Sequence, residues 1–276
     1  MHHNETKTPL IRLAKRGVME PWKAWCIRVG SILVALLLGG LVMSIALPEG
    51  SNIFSAYGTI IEGALGKKTA IRQTVKIAVP LLGCALAIAP CFKMHFWNIG
   101  AEGQVLIGCL ATAACMIVLG DKLSNGVLIL VMLVAAIAAG SLWGFLPSFF
   151  KAKWNTNEPL FTLMMNYIAT QLAAFFIIVW EVPKGSGKIG IINQNTEAGW
   201  LPVLGGKQYL LTILVVAVMT ILMYIYLNYS KHGYEIAVVG ESQRTASYAG
   251  IKVERVIIRT MVLSGAICGL MGLLLT

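Results

Sequence analysis

VGSILVALLLGGLVMSIAL, residues 29–47, runs for nineteen positions without a charge and is closed by Pro48. A helix rises about 1.5 Å per residue, so roughly twenty such residues cross a hydrocarbon core about 30 Å thick. A run of this kind is too long for the interior of a soluble domain, and it fixes the solvent as lipid. It does not read as a signal peptide. It is long, it lies behind a polar and basic stretch, and no small-x-small cleavage site precedes further structure.

Working outward, the pattern recurs at 74–92, 99–119, 127–146, 160–180, 209–226 and 256–275, the second of these diluted by polar residues at its start. The composition agrees, with 57% hydrophobic and 12% charged residues over 276 positions. The expected fold is an all-α integral membrane protein, a polytopic bundle of about seven transmembrane helices. It is organised as a basic segment, 1–28, followed by a single transmembrane domain, 29–276.

Lys and Arg placement gives the orientation. Residues 1–28 hold six basic and two acidic side chains, which places the N-terminus in the cytoplasm. Lys231, Arg244, Lys252, Arg255 and Arg259 return to the same side after an even number of crossings, and alternation also puts Lys151 and Lys153 inside. The stretch 51–76 is a misfit, because alternation puts it outside although it carries Lys67, Lys68, Arg72 and Lys76. The net charge of +10 is therefore chiefly a topology signal. No basic cluster is interleaved with aromatics on a soluble module, so a nucleic-acid partner is not expected.

Several chemistries lack their residues. Cys26, Cys84, Cys91, Cys109, Cys115 and Cys268 sit in or beside apolar runs without a CxxC pair and read as packing residues. His2, His3, His95 and His232 show no metal-ligand spacing. GxSxG and HExxH are absent, and neither GKKT at Gly66 nor GSGKIG at Gly185 keeps the spacing of a phosphate loop. The chain is expected to bind no cofactor and no ATP of its own, and to be no enzyme.

What remains is a set of polar positions in apolar surroundings. In NIGAEGQ, 98–104, Gly100 and Gly103 permit close backbone approach, while Asn98, Glu102 and Gln104 bring hydrogen-bonding groups and a carboxylate. Two readings stand: a broken helix lining a path, or a short turn with Glu102 at a helix N-terminus, where a carboxylate is favoured anyway. In TNEPLFTLMMNYIA, 156–169, Thr156 or Asn157 can cap a helix, Glu158 complements its positive end and Pro159 suits its first turn. Asn166 lies two turns further in, where its amide must meet another helix or a solute, and interhelical bonding is the commoner outcome. In LSGAICGLMG, 263–272, Gly265 and Gly269 form a GxxxG pair, as do Gly140 and Gly144; both are packing signals.

GYEIAVVGESQRTASYAG, 233–250, lies between two apolar runs. Gly240 allows a turn, Ser242 can cap a helix, and 243–249 can form two short helical turns stopped by Gly250. Ala246 and Ala249 would offer a small face and Glu241 and Arg244 polar contacts, a surface suited to a cleft in a soluble partner. An ordinary loop is the plain alternative.

NIGAEGQ, NEPLFTLMMNYIA, GYEIAVVGESQRTASYAGIKVERV and LSGAICGLMG, taken in that order, resemble the signature segments of permease subunits of ATP-binding cassette importers. The branch is that of branched-chain amino acid, ribose and other simple-sugar, and nucleoside permeases, and NIGAEGQ is closest to the nucleoside and simple-sugar members. The resemblance runs from about residue 74 to the last. It implies a translocation path formed with a second permease, the two together as a heterodimer, with ATP on cytoplasmic ATPase subunits and an extracytoplasmic solute-binding lipoprotein. It implies path positions at Asn98, Gly100, Glu102, Gln104 and Asn166. It further implies a coupling segment at 229–255, with a coupling helix at 241–249 and ATPase contacts at Gly233, Glu235, Ala237, Gly240, Glu241, Arg244, Ala246, Ala249 and Gly250. Family members continue past the SGxxxG helix, whereas this chain stops at Thr276 in an apolar run, which reads as a C-terminal truncation.

Competing classes fare less well. An ion-coupled secondary transporter predicts intramembrane carboxylates at helix breaks beyond Glu102, and none is found. A membrane-embedded enzyme lacks a nucleophile and base pair. A purely structural membrane protein requires neither NIGAEGQ nor the polar stretch 233–250.

Overall fold

A computed structural model describes residues 19–46, 53–206 and 209–276. The first eighteen residues of the basic segment, and the stop at Leu47 and Pro48, lie outside the described residues. The chain divides into two compact units, 1–71 and 72–276. Among the described residues, seven helices are long and apolar enough to cross a membrane.

The first unit contains α1 (Pro21–Ala46), α2 (Ile53–Ile61) and a π-helical turn (Glu62–Gly66). Tyr57 of α2 donates its hydroxyl to the carbonyl of Leu36 in α1. Only 6% of the α1 span is buried, so its apolar surface faces outward all round. Trp22 and Trp25 stand exposed at its start, with Lys23 and Arg28 over their rings at 5.4 and 5.6 Å. This is the aromatic and basic dressing of a membrane interface.

α3 (Lys68–Lys93) begins six residues before the apolar run at 74, taking Lys68, Arg72 and Lys76 into its first turns. Then follow α4 (Ala101–Leu119), α5 (Asn125–Trp154), α6 (Glu158–Trp180), α7 (Tyr209–Tyr229), two short helices α8 (Lys231–Glu241) and α9 (Gln243–Tyr248), and α10 (Val253–Leu275). α5 and α10 likewise extend past their apolar runs into Lys151, Lys153, Arg255 and Arg259. Long basic side chains tolerate this, since the stem packs while the charge reaches outward. At α6, the Asn157 side-chain oxygen accepts from the Leu160 amide at 3.1 Å and Pro159 fills the first turn.

α10 is the axis of the second unit: 67% of its span is buried, against 11% for α7. Its glycines allow this. A methyl group on Gly140 would strike the Gly265 carbonyl, one on Gly269 would strike the Ala136 carbonyl, and one on Gly144 would lie 2.6 Å from the Met261 oxygen. On another side, a methyl on Gly108 would lie 2.7 Å from the Gly269 Cα, and one on Gly272 2.6 Å from the Val105 oxygen. Backbones of α4, α5 and α10 thus touch without intervening side chains, the packing by which helices associate where burial from water offers nothing.

Both ends of this core are covered. At one, Ile236 and Val239 of α8 and Ala246 of α9 pack with Cys91, Met94, Phe96, Val256, Ile257 and Met261. At the other, the segment between α6 and α7 lays Ala198 on Met116, Leu128, Met132 and Leu273. There Asn193 donates to the carbonyls of Met116 and Ala198, each at 2.9 Å, and the Gly199 amide donates to the Asn125 side chain at 2.8 Å.

Two local readings are corrected. Gly240 is not a turn but lies inside α8, with its hydrogen-only side against the Lys93 carbonyl. The run EIAVV is therefore helical, its Ile236 and Val239 facing the core. Ala246 does not present an outward face, because it is fully buried in the cluster with Met94 and Phe96.

Candidate functional site

The break in the chain around NIGAEGQ is a turn between two spanning helices. α3 ends at Lys93; His95 takes a left-handed φ of 58°, and the Phe96 amide returns to the Cys91 carbonyl at 2.9 Å. Phe96 is buried, while Trp97 and Ile99 are exposed. The turn is therefore half sunk into the bundle, and its buried polar groups need partners.

They find them on two other helices. Asn98, 2% exposed, accepts from the Gly100 amide at 3.1 Å and donates to the Ser264 hydroxyl of α10 at 3.2 Å. Gly100 is the N-cap of α4 and brings no side chain to satisfy the first amides. Asn166 of α6 does so from outside: its oxygen accepts from the Gly103 amide at 2.8 Å and its nitrogen donates to the Ile99 carbonyl at 2.9 Å. The glycines make room, since a methyl on Gly100 would lie 3.1 Å from the Thr162 Cβ and one on Gly103 2.7 Å from the Asn166 oxygen. Gln104, 1% exposed, reaches Asn98 only at 3.5 Å and leaves its own oxygen without a partner.

Glu102 differs from all of these. It lies in the first turn of α4, it is exposed, and it is the carboxylate of that helix. Asn98, Gly100, Gly103, Gln104 and Asn166 thus form a buried mount, and one acidic side chain projects from it. A carboxylate at a helix N-terminus is electrostatically favoured there. Geometrically it can accept hydrogen bonds from a polar solute passing the α4 surface.

The polar stretch 233–250 sits directly beneath. Ser230 caps α8 by accepting from the Gly233 amide at 3.0 Å, and Gly233 nests against the Tyr226 and Leu227 carbonyls of α7. Arg259 of α10 pairs with Glu235 at 2.9 Å, both half-buried, and Lys93 donates to the Leu227 carbonyl at 2.9 Å. Ala237 is half-buried. α9 starts at Ser242, whose hydroxyl accepts from the Thr245 amide at 3.2 Å, and closes before Gly250 at a φ of 78°. Its outward rim is Gln243, Arg244, Ser247, Tyr248 and Ala249, with Glu241 beside it; Tyr248 is 92% exposed.

The two regions, about 140 residues apart in sequence, are thereby in direct contact: the backbone of Gly240 touches Lys93, and Ala246 packs with Met94 and Phe96. Ser264, Thr162 and Tyr248 were not singled out from the sequence. Ser264 carries a signal, since it stands beside the glycine pair of α10; Thr162 and Tyr248 carry none without their neighbours. Two cavities of about 620 and 890 Å³ lie at the opposite end, one against Asp121 and Glu197, the other lined by Arg72, Lys76, Thr112 and Tyr209.

Comparison with known proteins gives a consistent picture. Residues 70–276 match the family of branched-chain amino acid transport system permease components. The guanosine ABC transporter permease protein NupP of Bacillus subtilis is 31% identical over 88% of this chain and 69% of its own length. The glucose ABC transporter permease protein TsgB13 of Haloferax volcanii is 28% identical over 95% of this chain and 70% of its own. The nucleoside ABC transporter permease protein NupB of Lactococcus lactis is 28% identical over 88% and 68%. No solved structure matches the chain.

Proposed function

The chain belongs to the branched-chain amino acid transport system permease family, and from that premise we propose that it carries nucleosides, or failing those simple sugars, along a path that includes Glu102. It is a multi-pass permease subunit of an ATP-binding cassette importer and not an enzyme; ATP is used by the partner ATPase. The observation that carries the solute reading is the single exposed carboxylate on a buried mount. A carboxylate is a pure acceptor and suits the hydroxyl donors that ribose and hexoses share. A zwitterionic amino acid would need a cationic partner as well, and NIGAEGQ brings none.

In this reading the N-terminus and α8–α9 face the cytoplasm. The exposed rim of α9 seats in the ATPase, a second and different permease completes the path, and an extracytoplasmic lipoprotein delivers solute to the opposite end. The push has a short route. α8 is fixed to α7 at Gly233, to α10 through Glu235 and Arg259, and to the α3 terminus at Gly240. It moves with the bundle as one body, and the first groups it meets are Met94 and Phe96 at the foot of the mount. A partner shifts such an equilibrium only through contacts that differ between its states, and this seam is where they arise.

The test is uptake of labelled guanosine, uridine, glucose and leucine by cells carrying the complete transport system, with ATP depletion compared against collapse of the proton gradient. Nucleoside uptake lost on ATP depletion, and lost with Glu102→Gln while the subunit still assembles, is the expected result. Leucine uptake alone, or normal uptake by Glu102→Gln, would overturn the solute and path readings respectively.

A further inference from the structure

α4 is a spanning helix whose N-cap is a glycine and so brings no side chain; α6, α8 and α9 are capped by their own Asn157, Ser230 and Ser242, while Ser124 of α5 and Lys252 of α10 make no side-chain cap bond. Its third-position amide, Gly103 N–H, is satisfied at 2.8 Å by Asn166, which stands 63 residues further along the chain on another helix. The side-chain nitrogen of the same Asn166 reaches over the start of the helix and donates to the Ile99 carbonyl at 2.9 Å. One planar side chain thus holds two points of the α4 entrance, one before and one after the N-cap. Two points fix rotation about the helix axis, where one would leave it free.

We propose that Asn166 is a positioning residue: it caps α4 in trans and sets the direction in which Glu102 projects. The inference rests on the reading of Glu102 as a path residue. Both hydrogen-bonding groups of the Asn166 amide are occupied by α4 backbone and its side chain is 8% exposed, so it does not contact solute. Neither Gly100 nor Gly103 can substitute for it, since any side chain there would meet Thr162 or Asn166 itself. The arrangement explains why a polar residue occupies the third turn of an apolar helix.

The experiment uses the assembled transporter with Asn166→Leu, which removes both bonds at similar volume, and Asn166→Asp, which keeps the acceptor for Gly103 and loses the donor to Ile99. Two quantities are read per inserted molecule. The first is the rate at which a small thiol reagent labels Glu102→Cys, with Val118→Cys at the exposed far end of α4 as the control. The second is uptake, resolved into KM and maximal rate. With two interhelical bonds lost, the KM of Asn166→Leu is expected to rise about tenfold at little change in maximal rate, Asn166→Asp falling between. Labelling at 102 should change about threefold or more while labelling at 118 stays as in the parent. Unchanged KM and unchanged labelling at 102 would overturn the proposal, as would a change of equal size at 102 and 118. If Asn166→Leu fails to insert, Asn166→Asp decides by the same two readings. Should Glu102→Gln transport normally, the path reading falls alone, and labelling at 102 still decides whether Asn166 sets the frame of α4.

Discussion

Gly126 and Gly140 lie in the same helix, α5, and alanine at the two should have effects of opposite sign. Nothing lies within 4 Å of a methyl group built on Gly126. There the exchange gains part of the about 1 kcal/mol of propensity that an interior position would gain, since Gly126 is the second residue of α5, and costs nothing in packing. At Gly140 the same methyl would strike the Gly265 carbonyl and lie 2.8 Å from both the Cα and the nitrogen of Gly269. Those atoms are backbone of the most buried helix and cannot swing aside as a side chain would. Overpacking costs about 1–3 kcal/mol where side chains can adjust, and the rigid backbone argues for the upper end. Set against the propensity gain, Gly140→Ala should lose about 2 kcal/mol, roughly a thirtyfold drop in the ratio of folded to unfolded protein. Reversible SDS unfolding of the micelle-bound protein, followed by circular dichroism, measures both variants on one scale. If Gly140→Ala unfolds at the same or higher SDS fraction as Gly126→Ala, α5 and α10 are not in backbone contact and the axial place given to α10 is wrong.

Three further outcomes are expected. Ala246→Glu places a carboxylate in the cluster with Met94 and Phe96, so it should lower the yield of folded protein, whereas Arg244→Glu and Tyr248→Ala should leave stability within about 0.5 kcal/mol and weaken ATPase retention in a pull-down. A cysteine replacing Ser247 should resist an impermeant thiol reagent in intact cells and one replacing Asn195 should react; the reverse pattern inverts the orientation. The Glu181 carboxylate accepts from the Gly185 and Gly187 amides at 2.7 and 2.9 Å, which holds its pKa below the ordinary 4.5. The order it lends to residues 181–188 is therefore present above the ordinary value and lost as pH falls through the lowered one. At neutral pH, Glu181→Gln should speed hydrogen exchange of the Gly185 and Gly187 amides, and unchanged exchange would show that the turn holds without the charge.

The membrane spans were legible because their cause is local: an uninterrupted apolar run has few structures available in lipid. The helix starts at Asn157 and Ser242 were legible for the same reason, since a cap and its amide lie three residues apart. α8 was not, because Gly240 reads as a turn until the Lys93 carbonyl is seen pressed against it. The π-helical turn at Glu62–Gly66 falls in the basic stretch that departs from the alternation of sides, and no pattern announces it. The inward turn of Ala246 was hidden by its neighbours, which are polar and exposed on every other face of a six-residue helix. Spacing along one helix says that Gly140 and Gly144, or Gly265 and Gly269, admit a close neighbour, but not that these two pairs share one seam. In NIGAEGQ the residue types announce polar work; that Asn98 serves α10 and Asn166 serves α4 depends on which helices meet.

The helix at the centre of this bundle is also made after the helices it packs between. Asn98 leaves the ribosome 166 residues before its partner Ser264. At synthesis rates of about 5–20 residues per second, the interval is on the order of ten to thirty seconds. Until α10 follows, α4 and then α5 stand in the bilayer with their glycine faces uncovered, and the Asn98 amide lacks its hydroxyl. The order of manufacture thus opposes the order of packing, and the unfinished chain depends on lipid, insertion machinery or a neighbouring subunit to shield the groove that α10 will fill.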